Sequence, residues 1–158
     1  MCGHLYLVST PIGNLEDFTF RAVKILSGVD IIFAESVERT KKLLSHYDID
    51  AKVISLNKDN EKRKIKNAIA CLKDSKSIAL VSDAGTPCVS DPGFYLLSNL
   101  DEEIKVIPIP GVSSITCALS VSRIPMNEFT FLGFLPKKEN DRKKKLLQAS
   151  STCLLYTS

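Results

Sequence analysis

Histidine is scarce in this chain, with only His4 and His46, and the five cysteines show no Cys-x-x-Cys spacing. A zinc site would therefore have to gather ligands from scattered positions, and no metal is expected. Cys2, Cys71, Cys88, Cys117 and Cys153 are odd in number and several lie in apolar surroundings. That pattern reads as reduced thiols packed as small hydrophobes rather than a disulfide frame. No apolar run reaches the roughly 18 to 20 residues of a membrane span, and the amino terminus has no signal-peptide pattern, so a cytoplasmic protein is expected. Three common nucleotide or hydrolase signatures are also missing. There is no Gly-x-Gly-x-x-Gly, no Gly-x-x-x-x-Gly-Lys-Ser/Thr and no Gly-x-Ser-x-Gly, which removes the usual dinucleotide, P-loop and serine-elbow readings.

What is present is an alternation of short β-branched runs and segments of helical period. At 158 residues and 44% hydrophobic the chain can bury one core, and its net charge of +3 is only weak evidence for a nucleic-acid partner. Strands are expected at His4 to Ser9, Val29 to Ala34, Ala51 to Leu56, Ser77 to Val81 and Ile104 to Ile109. Helices are expected near Asp17 to Ser27, Arg39 to Tyr47, Lys58 to Lys73, Pro92 to Leu100 and Val112 to Val121. In the third helix Ile65, Ala68, Ile69 and Leu72 fall at i, i+3, i+4 and i+7, one apolar face on an otherwise charged segment. The order implies an α/β fold with a doubly wound, mostly parallel five-stranded sheet.

The register changes after Arg123-Ile124-Pro125. Phe129 to Leu135 reads as a new alternating strand with no clear partner, followed by a charged stretch from Lys137 to Lys145. A lone strand and helix cannot bury a core, so the expected organisation is a cofactor-binding domain over residues 1–123, with residues 124–158 opening a truncated second domain. By the same reasoning the chain is expected to show no turnover by itself.

In an open parallel sheet the ligand lies beyond the carboxyl ends of the strands. The unusual residues of this chain fall in those loops: Thr10-Pro11-Ile12-Gly13-Asn14, Glu35-Ser36, Asp83-Ala84-Gly85-Thr86-Pro87 and Pro110-Gly111-Val112-Ser113-Ser114. Five of the seven prolines and four of the seven glycines lie in or beside them. Such residues stiffen a backbone and let it approach a ligand closely, although they also punctuate ordinary turns. Ser113 and Ser114, at a helix start, suit caps or ligand donors better than nucleophiles. Asp91, just before Pro92, fits a helix cap.

These stretches resemble the ribosomal RNA small-subunit methyltransferase I family, of the tetrapyrrole-methylase fold. The resemblance is carried by Leu5 to Asp17, Ala79 to Pro87, Ser90 to Gly93, Ile107 to Gly111 and Phe129 to Pro136, in the family's order and spacing. It implies S-adenosylmethionine as cofactor, held by Asp83, Ala84, Gly85, Thr86, Pro87, Pro110, Gly111, Ser113 and Ser114. It also implies a cytidine 2'-oxygen in small-subunit ribosomal RNA as the target, a homodimer as the usual assembly, and substrate contacts from Thr10, Pro11, Gly13, Asn14 and Glu35. Porphyrin-modifying relatives carry Gly-x-Gly-Pro-Gly-Asp after the first strand, where this chain has Thr10 to Asn14, which favours the RNA branch.

Two segments depart from the family pattern. Ala34-Glu35-Ser36-Val37-Glu38-Arg39 replaces Ala-Glu-Asp-Thr-Arg, losing an acid and displacing the arginine. Tyr156-Thr157-Ser158 stands where Tyr-Glu-Ser-Pro-His-Arg would run. Methyl transfer needs the acceptor oxygen held in line with the methyl carbon, and a base helps where the hydroxyl proton must leave. Glu35, Asp83 and Asp91 are the acids near the edge, and no residue is assigned as the base. The basic cluster Lys137, Lys138, Arg142, Lys143, Lys144 and Lys145 suits either RNA phosphates or a solvated helix face. Two other readings remain open: a methylase of the same fold acting on a tetrapyrrole or other small substrate, and a noncatalytic RNA-binding fragment.

Overall fold

The computed structural model describes residues 2–124, 127–149 and 155–156. Pro125, Cys153 and the Thr157-Ser158 end, which the sequence singled out, lie outside the described residues. By internal packing the chain forms two compact units, Met1–Ser113 and Ser114–Ser158.

The first unit carries the five expected strands, β1 (His4–Val8), β2 (Ile31–Ala34), β3 (Val53–Ser55), β4 (Ile78–Val81) and β5 (Lys105–Ile109), all parallel in the order β3-β2-β4-β1-β5. β2 and β4 are buried on both faces, as their unbroken apolar sequences require. Their residues alternate between two cores. Ile32, Ala34, Ala79 and Val81 join helices α1 (Phe20–Gly28) and α2 (Val37–His46), through Ala22, Leu26, Leu43 and Leu44. Ile31, Phe33, Ile78 and Leu80 join α3 (Glu61–Lys73) and α4 (Phe94–Leu97), through Ile65, Ala68, Leu72 and Leu96. The crossovers thus place two helices on each face of the sheet. The strand order moves one way through α1 and α2 and the other way through α3 and α4, as right-handed connections dictate.

Pro108 has no N–H to give and sits in β5, at the edge of the five-stranded sheet, where a missing donor does least harm. The elements are shorter than expected where local caps override periodicity. Leu15–Asp17 is a 3-10 turn, and α1 begins only after Thr19, whose hydroxyl accepts the Ala22 N–H at 3.1 Å. The helix expected over Pro92 to Leu100 shrinks to α4.

The second unit contains α5 (Ser114–Val121), β6 (Thr130–Phe131), α6 (Glu139–Ala149) and β7 (Leu155–Tyr156). The strand expected over Phe129 to Leu135 without a partner is corrected here. Only Thr130 and Phe131 are extended in register, and they pair in parallel with Leu155 and Tyr156. Parallel strands need a crossover between them, which α6 supplies, and periodicity within one strand could not reveal the pairing. Among the described residues no helix is long and apolar enough to cross a membrane.

Candidate functional site at the strand ends

β1 and β4 are neighbours, but the chain leaves β1 toward the α1 face and β4 toward the α4 face, which makes their carboxyl ends the switch point of the sheet. The two loops that emerge there are joined. Thr10 and Gly85 form an isolated antiparallel bridge, each N–H donating to the other's carbonyl at 2.9 Å. The Thr10 hydroxyl donates to the Ser82 carbonyl at 3.1 Å, and the Ser82 hydroxyl donates to the Gly85 carbonyl at 3.2 Å. Ser9 and Thr86 share a hydroxyl contact at 3.2 Å. Ser9, Thr10 and Ser82 are buried polar residues in a strand-end region of a hydrophobic sheet, and these bonds satisfy them.

Gly85 has φ +79°, so conformation demands glycine there, while a Cβ would find only ordinary contact, 3.4 Å from Ile12. Gly111 is glycine for space: a Cβ would lie 2.8 Å from the Ser9 Cβ. The loop after β5 therefore rests directly on the end of β1. Of the residues expected in this loop, Pro110, Gly111 and Ser113 belong to the first unit, whereas Ser114 opens α5 in the second.

Asp83 organises the neighbouring loop. Its Oδ1 accepts the Ser36 N–H at 3.0 Å and its Oδ2 pairs with Arg39 Nη1 at 3.1 Å. Ser36 in turn caps α2, its hydroxyl accepting the Arg39 N–H. The displaced Arg39 thus reaches the acid of the other loop. The Glu35 carboxylate accepts the Asp83 N–H, but burial, and then the charges of Asp83 and Asp91, push its pKa above the ordinary value. Asp91 is pushed up as well, first by burial, against the pull of Lys58 and a hydrogen bond with Ser82.

The segment from Gly85 to Gly93 is wound tightly, with Gly85, Cys88, Ser90 and Gly93 all at positive φ. Two side chains hold it. Lys58 Nζ donates to the Ser90 carbonyl at 3.1 Å, and the buried Glu61 accepts the Gly93 and Leu96 N–H groups at 3.0 and 3.1 Å. Glu61, not Asp91, therefore caps α4; it reaches across from α3, which local sequence spacing could not show. Burial raises the Cys88 thiol to about 11, leaving it protonated and unreactive at neutral pH.

Beside the joined loops lies a pocket of about 180 Å³, with Thr10, Pro11 and Leu15 on one side, Arg39 and Leu43 of α2 on another, and Asp83 at its margin. Sequence reasoning expected Thr10, Pro11 and Asp83 here and missed the contribution of α2. Arg39 and Leu43 are one helical turn apart, so both project to the same face. The Tyr47 hydroxyl fixes the other wall by donating to the Leu15 carbonyl. Gly13, Asn14, Glu35, Ala84, Thr86 and Pro87 share the edge but do not line the pocket. Asn14 has a local task, its side chain accepting the Glu16 N–H at 3.1 Å to cap the 3-10 turn. No group of three or more His, Cys, Asp or Glu among the described residues is arranged to hold a metal ion.

The tetrapyrrole (corrin/porphyrin) methylases, as a family, match residues 4–158. The chain is 50% identical over 147 residues to a ribosomal RNA small subunit methyltransferase I from Buchnera aphidicola, covering 92% of this chain and 50% of that one. It is 46% identical over 158 residues to the protein of that name from Vibrio cholerae, covering 98% and 55%. It is 47% identical over 159 residues to that from Thermotoga maritima, covering 99% and 72%. The chain thus spans about half the length of the first two. Among solved structures, uroporphyrin-III-C-methyltransferase from Thermus thermophilus superposes with a TM-score of 0.62 at 22% identity, over 86% of this chain and 65% of that one. A precorrin-6Y methylase from Archaeoglobus fulgidus gives 0.56 at 24% identity, over 83% and 64%. At that identity these two likenesses show the fold alone.

Proposed function

The chain belongs to the tetrapyrrole (corrin/porphyrin) methylase family, and we propose that the protein it represents transfers a methyl group from S-adenosylmethionine to the 2'-oxygen of a cytidine in small-subunit ribosomal RNA. The observation that carries this reading is the identity of 46 to 50%, over 92 to 99% of the chain, to three relatives named ribosomal RNA small subunit methyltransferase I. The loop Thr10 to Asn14, which differs from the glycine-rich loop of porphyrin-modifying relatives, supports the same side.

The donor set fits the cofactor. S-Adenosylmethionine supplies an electrophilic methyl on a cationic sulfur, and this edge carries three carboxyl groups, Glu35, Asp83 and Asp91, against the cations Arg39 and Lys58. Both Asp83 oxygens already serve Ser36 and Arg39. The groups proposed to hold the cofactor are the backbone from Asp83 through Ala84, Gly85, Thr86 and Pro87, with Pro110, Gly111, Ser113 and Ser114. The Gly111 approach to Ser9, closed to any side chain, keeps that backbone bare. Thr10, Pro11, Gly13, Asn14 and Glu35 are proposed for the RNA side. The partner is small-subunit ribosomal RNA or the small subunit, met in the cytoplasm, with a homodimer as the complete assembly.

The test is mass spectrometry of nuclease-digested RNA after reaction of the complete protein with native and 2'-deoxy-substituted substrates. Methylation of the native cytidine and none of the deoxy form is expected, because the 2'-hydroxyl is the acceptor. A methyl group on a base refutes the 2'-oxygen assignment. Methylation of a porphyrin-type substrate, with none on RNA, moves the protein to the macrocycle branch.

A further inference from the structure

The pocket between the first loop and α2 meets the proposed donor-holding backbone at Asp83 alone. We propose that it receives the cytosine base of the target nucleotide, with Asp83 and Arg39 reading its pairing edge; this rests on the reading of the protein as a cytidine methylase.

The size and lining carry the argument. At about 180 Å³ the pocket is smaller than the roughly 300–1,000 Å³ of sites that enclose drug-sized ligands. It suits one flat pyrimidine rather than a whole nucleoside donor. Pro11, Leu15 and Leu43 give it apolar walls; its polar lining is Thr10, Thr40, Lys42 and Ser82 together with the Arg39–Asp83 pair at 3.1 Å. Cytosine presents an amine donor beside two acceptors, and a carboxylate beside a guanidinium is the matching set. Each carboxylate oxygen has a second lone pair, and the guanidinium has N–H donors beyond the one it gives to Asp83. The pair can therefore accept from the amine and donate to the ring nitrogen and carbonyl without coming apart. Uracil would set its O4 carbonyl against the carboxylate instead. Unstacked bases of single-stranded RNA are read by proteins through hydrogen bonds to their Watson–Crick edges.

The experiment is titration of the 158-residue chain with cytidine 5'-monophosphate and uridine 5'-monophosphate, followed by backbone amide NMR. Cytidine is expected to shift the Thr10, Thr40 and Leu43 amides and to bind about 10-fold more tightly than uridine. Asp83→Asn should remove that preference, because the amide can donate to O4. Leu15→Trp adds bulk at a lining residue outside the polar pair, and should abolish both titrations in a chain whose remaining spectrum is unchanged. Equal affinities, shifts remote from the pocket, or no shift with either nucleotide overturn the proposal. The two readings fail separately. A cytidine-selective pocket in a protein that methylates no RNA sinks the ribosomal RNA reading alone. Cytidine 2'-O-methylation that Leu15→Trp leaves unchanged sinks the pocket alone.

Discussion

Thr10 and Gly85 exchange both of their backbone hydrogen bonds, at 2.9 Å in each direction, across the switch point of the sheet. An open crevice is the usual feature at that place in a doubly wound fold. Here the loops after β1 and β4 are joined at its base by that reciprocal pair of bonds. Whatever the loop after β4 binds is thereby coupled to the loop after β1.

Gly85→Val should break that pair of bonds. A β-branched residue at φ +79° is strained whatever the space around it, and left-handed backbone costs an L-residue about 1–3 kcal/mol. Urea denaturation should show a loss of that order, and calorimetric titration of the complete protein should show weakened S-adenosylmethionine binding. A variant with unchanged midpoint and affinity would reduce this loop to an ordinary turn.

Gly111→Ala probes space rather than conformation. The added methyl would lie 2.8 Å from the Ser9 Cβ, so the loop after β5 must lift away from β1. The expected result is a greater loss of S-adenosylmethionine affinity than of stability, since a surface loop can shift at small cost to the core. Affinity preserved with the melting temperature lowered would show that the contact serves packing only.

Glu61 is the side chain on which the tight segment before α4 depends. Removing it in Glu61→Ala strands two buried N–H groups, at about 1–3 kcal/mol each. Glu61→Gln keeps an oxygen in place and should cost nearer 1 kcal/mol, the difference between a charged and a neutral acceptor. Chemical denaturation of the two variants side by side checks the order, and equal losses would argue against capping as the cause.

The parallel sheet and its loops were legible in the sequence because β2 and β4 are unbroken apolar runs and because Gly and Pro gather at the strand ends. The caps were less so. Asp91 before Pro92 has the local look of a cap, yet Glu61 does the work from 32 residues upstream, and a contact of that range leaves no periodic trace. Arg39 was visible only as an arginine out of place, since its meaning lies in Asp83, in the loop after β4, the strand that pairs beside β2. The partner of β6 was missed for the same reason: two-residue strands carry no period to match.

The acids make a prediction about pH. Glu35 and Asp91 have raised pKa values in the folded protein, from ordinary values of 4.5 and 3.8, with burial as the first cause of each. A carboxyl whose folded pKa exceeds its unfolded one favours folding while protonated. That contribution is complete below the unfolded value and is lost as pH rises through the folded value. Glu35→Gln should therefore melt higher than the parent at pH 7, and the gap should close by about pH 4. A gap that widens toward low pH would show instead that the charged carboxylate is the favoured form.

The basic helix α6 offers a test of the RNA partner that separates charge from structure. Lys143 forms a bridge of 2.6 Å to Glu139, and Lys145 donates to the Leu132 carbonyl at 3.1 Å, so reversing either changes the second unit as well as its charge. Lys144 lies between them and is exposed. Lys144→Glu should weaken RNA capture by the complete protein and flatten its dependence on salt by about 0.7 to 0.9 in log–log slope, one phosphate contact's worth. Cofactor affinity should not change. The measurement is RNA binding across a series of salt concentrations, for Lys144→Glu and for Lys143→Glu beside it. An unchanged slope in Lys144→Glu assigns the charge run to a solvated helix face. A reduced slope accompanied by lost cofactor binding would trace the effect to misfolding rather than to phosphate contact.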